Sequence, residues 1–207
     1  MPEKRPRNAD KSRQDILLAA EDHFARKGFY GARVDEIAAQ AGLNKRMIYE
    51  YFGSKEELYK NVLAAVYQRL GNAEQKLQEQ GLDGRELIQA IISLNFQFLR
   101  SDRNFVSIML WENLNQGQAL RELPAQVVQR PTIGYFRDMI RNGKQTGIFR
   151  AEIDEEQVVI SLITVCFGNF SNCHTLSHLF DCDLCSDAAI ESRKQHTVDL
   201  MLAYLCP

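Results

Sequence analysis

A chain of 207 residues with 45% hydrophobic content can bury a sizeable core, as one domain or as a small domain joined to a medium one. Its net charge of −2 is not that of a polyanion binder, but the charge is uneven: residues 1–60 hold 12 Lys+Arg against 10 Asp+Glu, and the remainder is −4. The longest apolar run, 158–168, is too short for a bilayer and contains Ser161 and Thr164, and the charged start MPEKRPRNADKSR is no export signal, so the expected location is the cytoplasm, with no membrane partner.

Residues 1–11 read as a basic flexible arm. Lys4, Arg5, Arg7 and Lys11, with Arg13 just beyond, face only Glu3 and Asp10. Such an arm either neutralises phosphates or keeps the chain soluble, and composition does not choose between them. The first helix is expected over Ser12 to Lys27, where Ile16, Ala20 and Phe24 repeat every four residues and Gly28 is placed to close the end in a left-handed conformation.

Two short helical patterns follow, Val34 to Ala41 and Lys45 to Tyr51, separated by Gly42 and Leu43. Gly42 turns the chain through positive φ without a Cβ clash, and Asn44 is placed to cap the second helix. This is a helix-turn-helix arrangement. Ile37, Ala38 and Ala41 mark the inner face of its first helix, and Ile48 and Phe52 that of its second. The outer face of the second is left to Arg46, Met47 and Glu50, with Tyr49 and Tyr51 at its edges and Lys45 at its N-terminus, a cationic and aromatic surface suited to the major groove of DNA.

A long fourth helix starts at a Ser54-x-x-Glu57 capping box and runs towards Gln80. Asp83 and Glu86 form another box ahead of ELIQAIISLNFQFLR, whose apolar content makes it the centre of a second domain. NFVSIMLWENLN is helical by its spacing, Pro124 and Pro131 bracket a less regular segment, and Thr132 to Thr146 is helical again up to Gly147. After a short link at Ile148 to Ile153, Asp154 with Gln157 caps VVISLITVCFGNF, and a last helix is expected from Ser186 to Leu205. No strand alternation, hairpin turn or repeat is present, so the fold class is all-α. The expected organisation is a three-helix head over 12–53, a connecting helix over 54–80 and a helical domain over 81–207.

The head resembles the TetR family of one-component transcriptional regulators. The likeness is carried by the Ile16, Leu17, Ala20, Phe24 and Gly28 spacing, by Val34-x-x-Ile37-Ala38-x-x-Ala41-Gly42, and by Ile48-Tyr49-x-Tyr51-Phe52-x-x-Lys55-x-x-Leu58. The remaining two thirds match loosely, through helix count and the GIFRAEID turn. The resemblance implies a double-stranded DNA operator, a small-molecule effector bound in the 81–207 domain, and a homodimer formed through the last two helices. It further implies that Lys45, Arg46 and Tyr49 meet base edges, while Tyr51, Lys55 and the position of Met47 approach phosphates. Three departures stand out. Arg46 replaces a frequent glycine and suits a bidentate pair with guanine. Met47, where a small or hydroxyl residue is common, fits a thymine methyl or a sugar. Arg33 stands where a Ser or Thr usually caps the second helix, exchanging a cap for a phosphate contact. The expected DNA-contacting set is thus Arg33, Asn44, Lys45, Arg46, Met47, Tyr49, Tyr51 and Lys55.

For the effector, the later helices offer Phe96, Leu99, Trp111, Asn113, Phe136, Ile140, Phe167 and Phe170, a lining suited to an apolar or amphipathic molecule. Each of these residues also reads as ordinary core. Glycine-rich cofactor loops, nucleophile elbows and HExxH helices are absent from the sequence, so neither catalytic residues nor a cofactor are expected. All five cysteines fall in the C-terminal part, where Cys173, His174, His178, Cys182 and Cys185 raise an alternative of zinc or redox sensing, or a redox or zinc enzyme. The Cys182-x-x-Cys185 pair lies between helices and lacks a second pair, so reduced packing or loop thiols, with no resident metal, are the default.

Overall fold

The computed structural model describes residues 9–128 and 131–207, and every regular element among them is helical. In chain order these are α1 (Ala9–Gly31), α2 (Val34–Ala41), α3 (Lys45–Phe52), α4 (Lys55–Gln78), α5 (Gly84–Ser101) and α6 (Arg103–Leu114), then a 3₁₀ turn at Leu120–Glu122. They are followed by α7 (Ala125–Val128), α8 (Pro131–Gln145), α9 (Glu155–Ser171), α10 (Cys173–Leu179) and α11 (Asp187–Leu205). Two compact units result. One holds the described residues up to Tyr67 together with Ser107–Val128; the other holds Gln68–Val106 together with the described residues from Pro131 onward. The expected linear division is therefore crossed: the second half of α6 and α7 fold with the head, and α4 supplies residues to both units.

In the first unit α2 packs on α1 and on α3. Ile16, Ala20 and Phe24 of α1, Ile37 and Ala38 of α2, Ile48 and Phe52 of α3, and Leu58, Val62 and Val66 of α4 are buried. The helical stripes read from the sequence thus form one core. Three details differ from expectation. The basic arm lies outside the described residues except at its end, where α1 already begins at Ala9, so Lys11 and Arg13 are helical. Arg13 donates to Asn61 Oδ1 at 2.8 Å, and its guanidinium lies 4.9 Å from the Phe52 ring centroid, so it braces α1 against the head. Helix α1 also continues past Lys27 to Gly31 across a break at Gly28.

Gly28 explains that break. Its φ of 66° with ψ of 177° is a glycine conformation but not a left-handed helical one. It allows the Trp111 indole to lie against the backbone: a Cβ built at Gly28 would stand 2.7 Å from Trp111 Cδ2. The indole N–H donates to the Ala25 carbonyl at 3.1 Å, satisfying the ring's one polar group. Nearby, the buried Glu112 carboxylate accepts from the Tyr59 hydroxyl at 2.8 Å. Burial and this carboxylate together push the Tyr59 phenol well above its ordinary range.

In the second unit α5 packs against α8, α9 and α11, placing Leu87, Ile88, Ile91, Ile92, Phe96 and Leu99 in the core. Helix α9 starts as the sequence predicts, with Asp154 accepting from the N–H groups of Glu156 and Gln157 at 2.9 and 3.0 Å. Ser186 caps α11 through the Ala189 N–H at 3.3 Å. The two expected capping boxes are incomplete. Ser54 accepts from the Glu57 N–H at 3.1 Å, but the Glu57 carboxylate turns to Lys60. Asp83 makes no side-chain cap bond, since Gly84 enters the helix at φ 50° and the contact is instead from the Leu87 N–H to the Asp83 carbonyl. Helix α10 was not expected from the sequence. Among the described residues, no single helix is long and apolar enough to cross a membrane.

Candidate nucleic-acid interface

The turn between α2 and α3 is built from backbone chemistry. Gly42 adopts φ 63° and ψ 34°, its N–H donating to Ala39 and the Leu43 N–H reaching the Ala38 carbonyl at 3.0 Å. This pair of bonds closes α2 in a Schellman arrangement that a Cβ at Gly42 would strain. Leu43 then leads to Asn44, whose Oδ1 accepts from the Arg46 N–H at 2.9 Å and fixes the start of α3. Ile48 and Phe52 are buried beneath the helix, so its rotation about its own axis is set and the opposite face is presented outward.

On that face Arg46 is 85% exposed in its side chain and pairs with Glu50 one turn on, Nε to Oε1 at 2.7 Å. Lys45 is exposed and reaches back to Asp35 of α2 at 2.7 Å. That bond holds the Lys45 ammonium above and the Asp35 carboxyl below their ordinary ranges. Both cations are thus held by carboxylates in exposed ion pairs, which are weak enough to exchange partners. Tyr49 is exposed, and Met47 and Tyr51 are half-buried at the flanks. Arg33 occupies the N-cap position of α2 without a side-chain cap bond, leaving its guanidinium at the surface.

Lys55 begins α4 but is drawn over the Phe29 ring, its ammonium 4.7 Å from the centroid. Burial lowers its pKa, and the contact over Phe29 packs it into the head. The sequence reading did not single out the acidic partners Asp35 and Glu50 as groups that hold the cations in the free state. The i, i+4 spacing of Arg46 and Glu50 was the signal for one of them.

The eight residues expected to line an effector pocket are divided between the two units. Trp111 and Asn113 belong to the first unit, Trp111 against Gly28 and Asn113 donating to its own helix at the Met109 carbonyl. In the second unit Phe96 and Phe170 meet edge to face at 5.5 Å between centroids, with Leu99 buried and Phe167 half-buried. Phe136 and Ile140 line a cavity of about 20 Å³ with Ile88, Ile91 and Leu162, room for roughly one water. Two polar groups that were not anticipated reach this cavity. One is Asn95, which donates to the Ile91 carbonyl; the other is Glu74 of α4, 3% exposed, which accepts from the Thr132 hydroxyl at 2.5 Å.

The cysteines are all free thiols. Cys182 is exposed, whereas Cys173, His174 and Cys185 bring their ligand atoms within 4.8 Å of one another. His178 and Cys182, paired with them in the sequence reading, are not part of this group. Burial, aided by a hydrogen bond to Cys185, pushes the Cys173 thiol up to about 11.

Comparison with known proteins matches the same two regions. Residues 16–62 fit the family described as "Bacterial regulatory proteins, tetR family", and residues 85–201 fit "Tetracyclin repressor-like, C-terminal domain". The HTH-type transcriptional repressor NicS of Pseudomonas putida is 33% identical over 186 residues, 89% of this chain and 88% of that protein. A transcriptional regulator from Saccharomonospora viridis, solved in complex with choline, superposes with a TM-score of 0.76 at 20% identity, covering 96% of this chain and 99% of that one. Bacillus subtilis FadR, solved with stearoyl-CoA, gives a TM-score of 0.70 at 20% identity, over 92% of this chain and 98% of its own. Two matching family models and a repressor aligned over nearly nine-tenths of both chains lead to one conclusion: the chain belongs to the TetR family of bacterial transcriptional regulators.

Proposed function

We propose that this protein is a homodimeric, cytoplasmic repressor, a binding protein and not an enzyme, that leaves a near-palindromic operator when a small amphipathic molecule enters its second unit. The observation that carries the DNA half is the outer face of α3, where Lys45, Arg46 and Tyr49 are exposed on a helix locked by Asn44 at one end and by Ile48 and Phe52 beneath. Arg46 is the residue best suited to guanine, and Lys45 and Arg33 to phosphate or neighbouring bases.

Dimerisation through α9 and α11 is supported by apolar side chains left at the surface of both helices: Ile160 and Ile163 on α9, Leu200 and Tyr204 on α11. Two heads so joined meet two half-sites about 34 Å apart on one face of B-DNA. The cavity bounded by α5, α8 and α9, apolar but edged by Glu74 and Asn95, is where an effector with an apolar body and one polar end would enter, by enlarging it. The choline and stearoyl-CoA bound by the two structural neighbours support the idea that this fold hosts such ligands. Helix α4 supplies Glu74 to the cavity and Lys55 to the head, so a ligand that shifts it changes the heads' spacing. A differential affinity of about 1–3 kcal/mol between the two states suffices.

The test begins with selection of duplexes from a random pool by the intact protein, followed by titration of the recovered site. Arg46→Ala is expected to weaken binding roughly 5- to 150-fold, with a melting temperature lowered by no more than the loss of one exposed ion pair. Recovery of no site, or equal affinity of the variant, rules out the reading of α3.

A further inference from the structure

The segment between α9 and α11 folds back on itself so that donor atoms from two stretches of chain converge. Cys173 opens α10 and is 2% exposed, His174 follows it at the surface, and Cys185 lies half-buried just ahead of the Ser186 cap. Cys185 Sγ is 3.7 Å from His174 Nδ1, and all three ligand atoms lie within 4.8 Å of one another.

This approach is held by hydrogen bonds that do not involve the donor atoms. The Ser177 hydroxyl donates to the Cys173 carbonyl at 2.6 Å and accepts from the Leu184 N–H at 2.9 Å, while the Cys182 N–H donates to the Ser177 carbonyl at 3.0 Å. Asp183 Oδ1 accepts from the Cys185 N–H at 2.9 Å, and the Asp183 carbonyl accepts from the Ser186 hydroxyl at 2.9 Å. The loop is therefore stapled to α10 through Ser177 and to α11 through Ser186.

From this we propose that Cys173, His174 and Cys185 form a binding site for a thiophilic divalent cation of the zinc class, with a fourth position left to water. Two sulfurs and an imidazole are the donor set that zinc takes and that magnesium or calcium does not. In a tetrahedral zinc site with bonds of about 2.0–2.3 Å, neighbouring donors stand roughly 3.5–3.8 Å apart. The Cys185–His174 pair already meets this separation, and rotation of the exposed imidazole and the half-buried thiol closes the remainder. Both thiols release a proton as they bind, and a three-ligand site with an open corner exchanges its ion more readily than a closed four-ligand one. The exposed Cys182 takes no part. The site goes beyond DNA recognition and stands or falls separately from it.

The test uses the reduced full-length chain without DNA. Zinc is titrated in competition with a chromophoric chelator, and cobalt is added in parallel to read thiolate-to-metal charge-transfer absorption. One ion per chain is expected in the unaltered protein and in Cys182→Ser, a weaker one in His174→Ala, and none in Cys185→Ser, with circular dichroism confirming that each variant is folded. Equal binding by the unaltered protein and Cys185→Ser, or loss of the ion in Cys182→Ser, overturns the site. So does a reduced, folded chain that takes up no zinc, and peptide mapping of the air-exposed protein then tells whether Cys173 is joined to Cys185 instead.

Discussion

Helices α3 and α5 place their polar groups in opposite ways. In α3 only Ile48 and Phe52 are buried, and the cations on its outer side are matched by carboxylates close at hand, Glu50 one turn on and Asp35 in the preceding helix. In α5 the buried face is continuous, and the polar atoms beside it are enclosed: Asn95 bonds its own helix, and Glu74 is met by Thr132 from 58 residues away. Exposed pairs exchange partners at little cost, whereas enclosed ones lose their full hydrogen-bond energy when opened. In the proposed reading, the first arrangement suits a surface that exchanges its carboxylates for phosphates, and the second suits a cavity that opens when a ligand occupies it.

The contrast depends on a firmly packed first unit, and Gly28 is a position where that packing is easily broken. Gly28→Ala places a methyl 2.7 Å from the Trp111 ring at a φ of 66° that alanine resists. The expected loss is about 2–5 kcal/mol, combining backbone strain with overpacking. Denaturant melts followed by tryptophan fluorescence read this directly, because Trp111 is the chain's one tryptophan. A variant as stable as the parent would show that the indole is free to leave Gly28, and that the first unit is not braced there.

On the other side of the comparison, Thr132→Val keeps the shape of the side chain and removes the hydroxyl that donates to Glu74. The expected destabilisation is about 1–3 kcal/mol, the cost of withdrawing a donor from a buried carboxylate. Because the cavity wall is loosened, effector uptake should be altered in the same variant while DNA affinity without effector stays near that of the parent. Calorimetric melts together with operator titration separate the two. An unchanged melt would mean that Glu74 is not held closed by Thr132, and the distinction between enclosed and exchangeable polarity would lose its best example.

The same division governs what could be read from the sequence. The helix-turn-helix was legible because its evidence is local: Gly42 and Asn44 act within three residues, and the stripe of Ile37, Ala38 and Ile48 repeats at helical spacing. Trp111 was grouped with the later aromatics because it sits among them in the chain, yet its partner is Gly28, whose role as a floor for an indole has no local signature. Glu74 was overlooked for the same reason, since nothing near it in sequence announces Thr132. Among the candidate ligands Cys173, His174, His178, Cys182 and Cys185, spacing does not select a subset, whereas the fold of the loop around Ser177 brings together Cys173, His174 and Cys185. Long-range closure, not helix formation, is the part that periodicity does not encode.

The smallest effect expected is also the one that sharpens the comparison most. Glu50 holds Arg46 in the free protein and lies on the same outer face, so in the proposed complex its charge repels the phosphates flanking the base that Arg46 reads. Glu50→Gln keeps the side chain's length and helix propensity while removing the charge. Folding stability should fall only slightly, because an exposed i, i+4 pair contributes about 0.3–0.5 kcal/mol. Operator affinity should move the other way and rise, by roughly twofold at low salt, with the gain fading as salt screens the lost repulsion. Anisotropy titrations at two salt concentrations check both the direction and the fading. If affinity falls instead, Glu50 is itself reading a base, as an acceptor from cytosine N4, and Arg46 is being aimed by its partner rather than restrained by it.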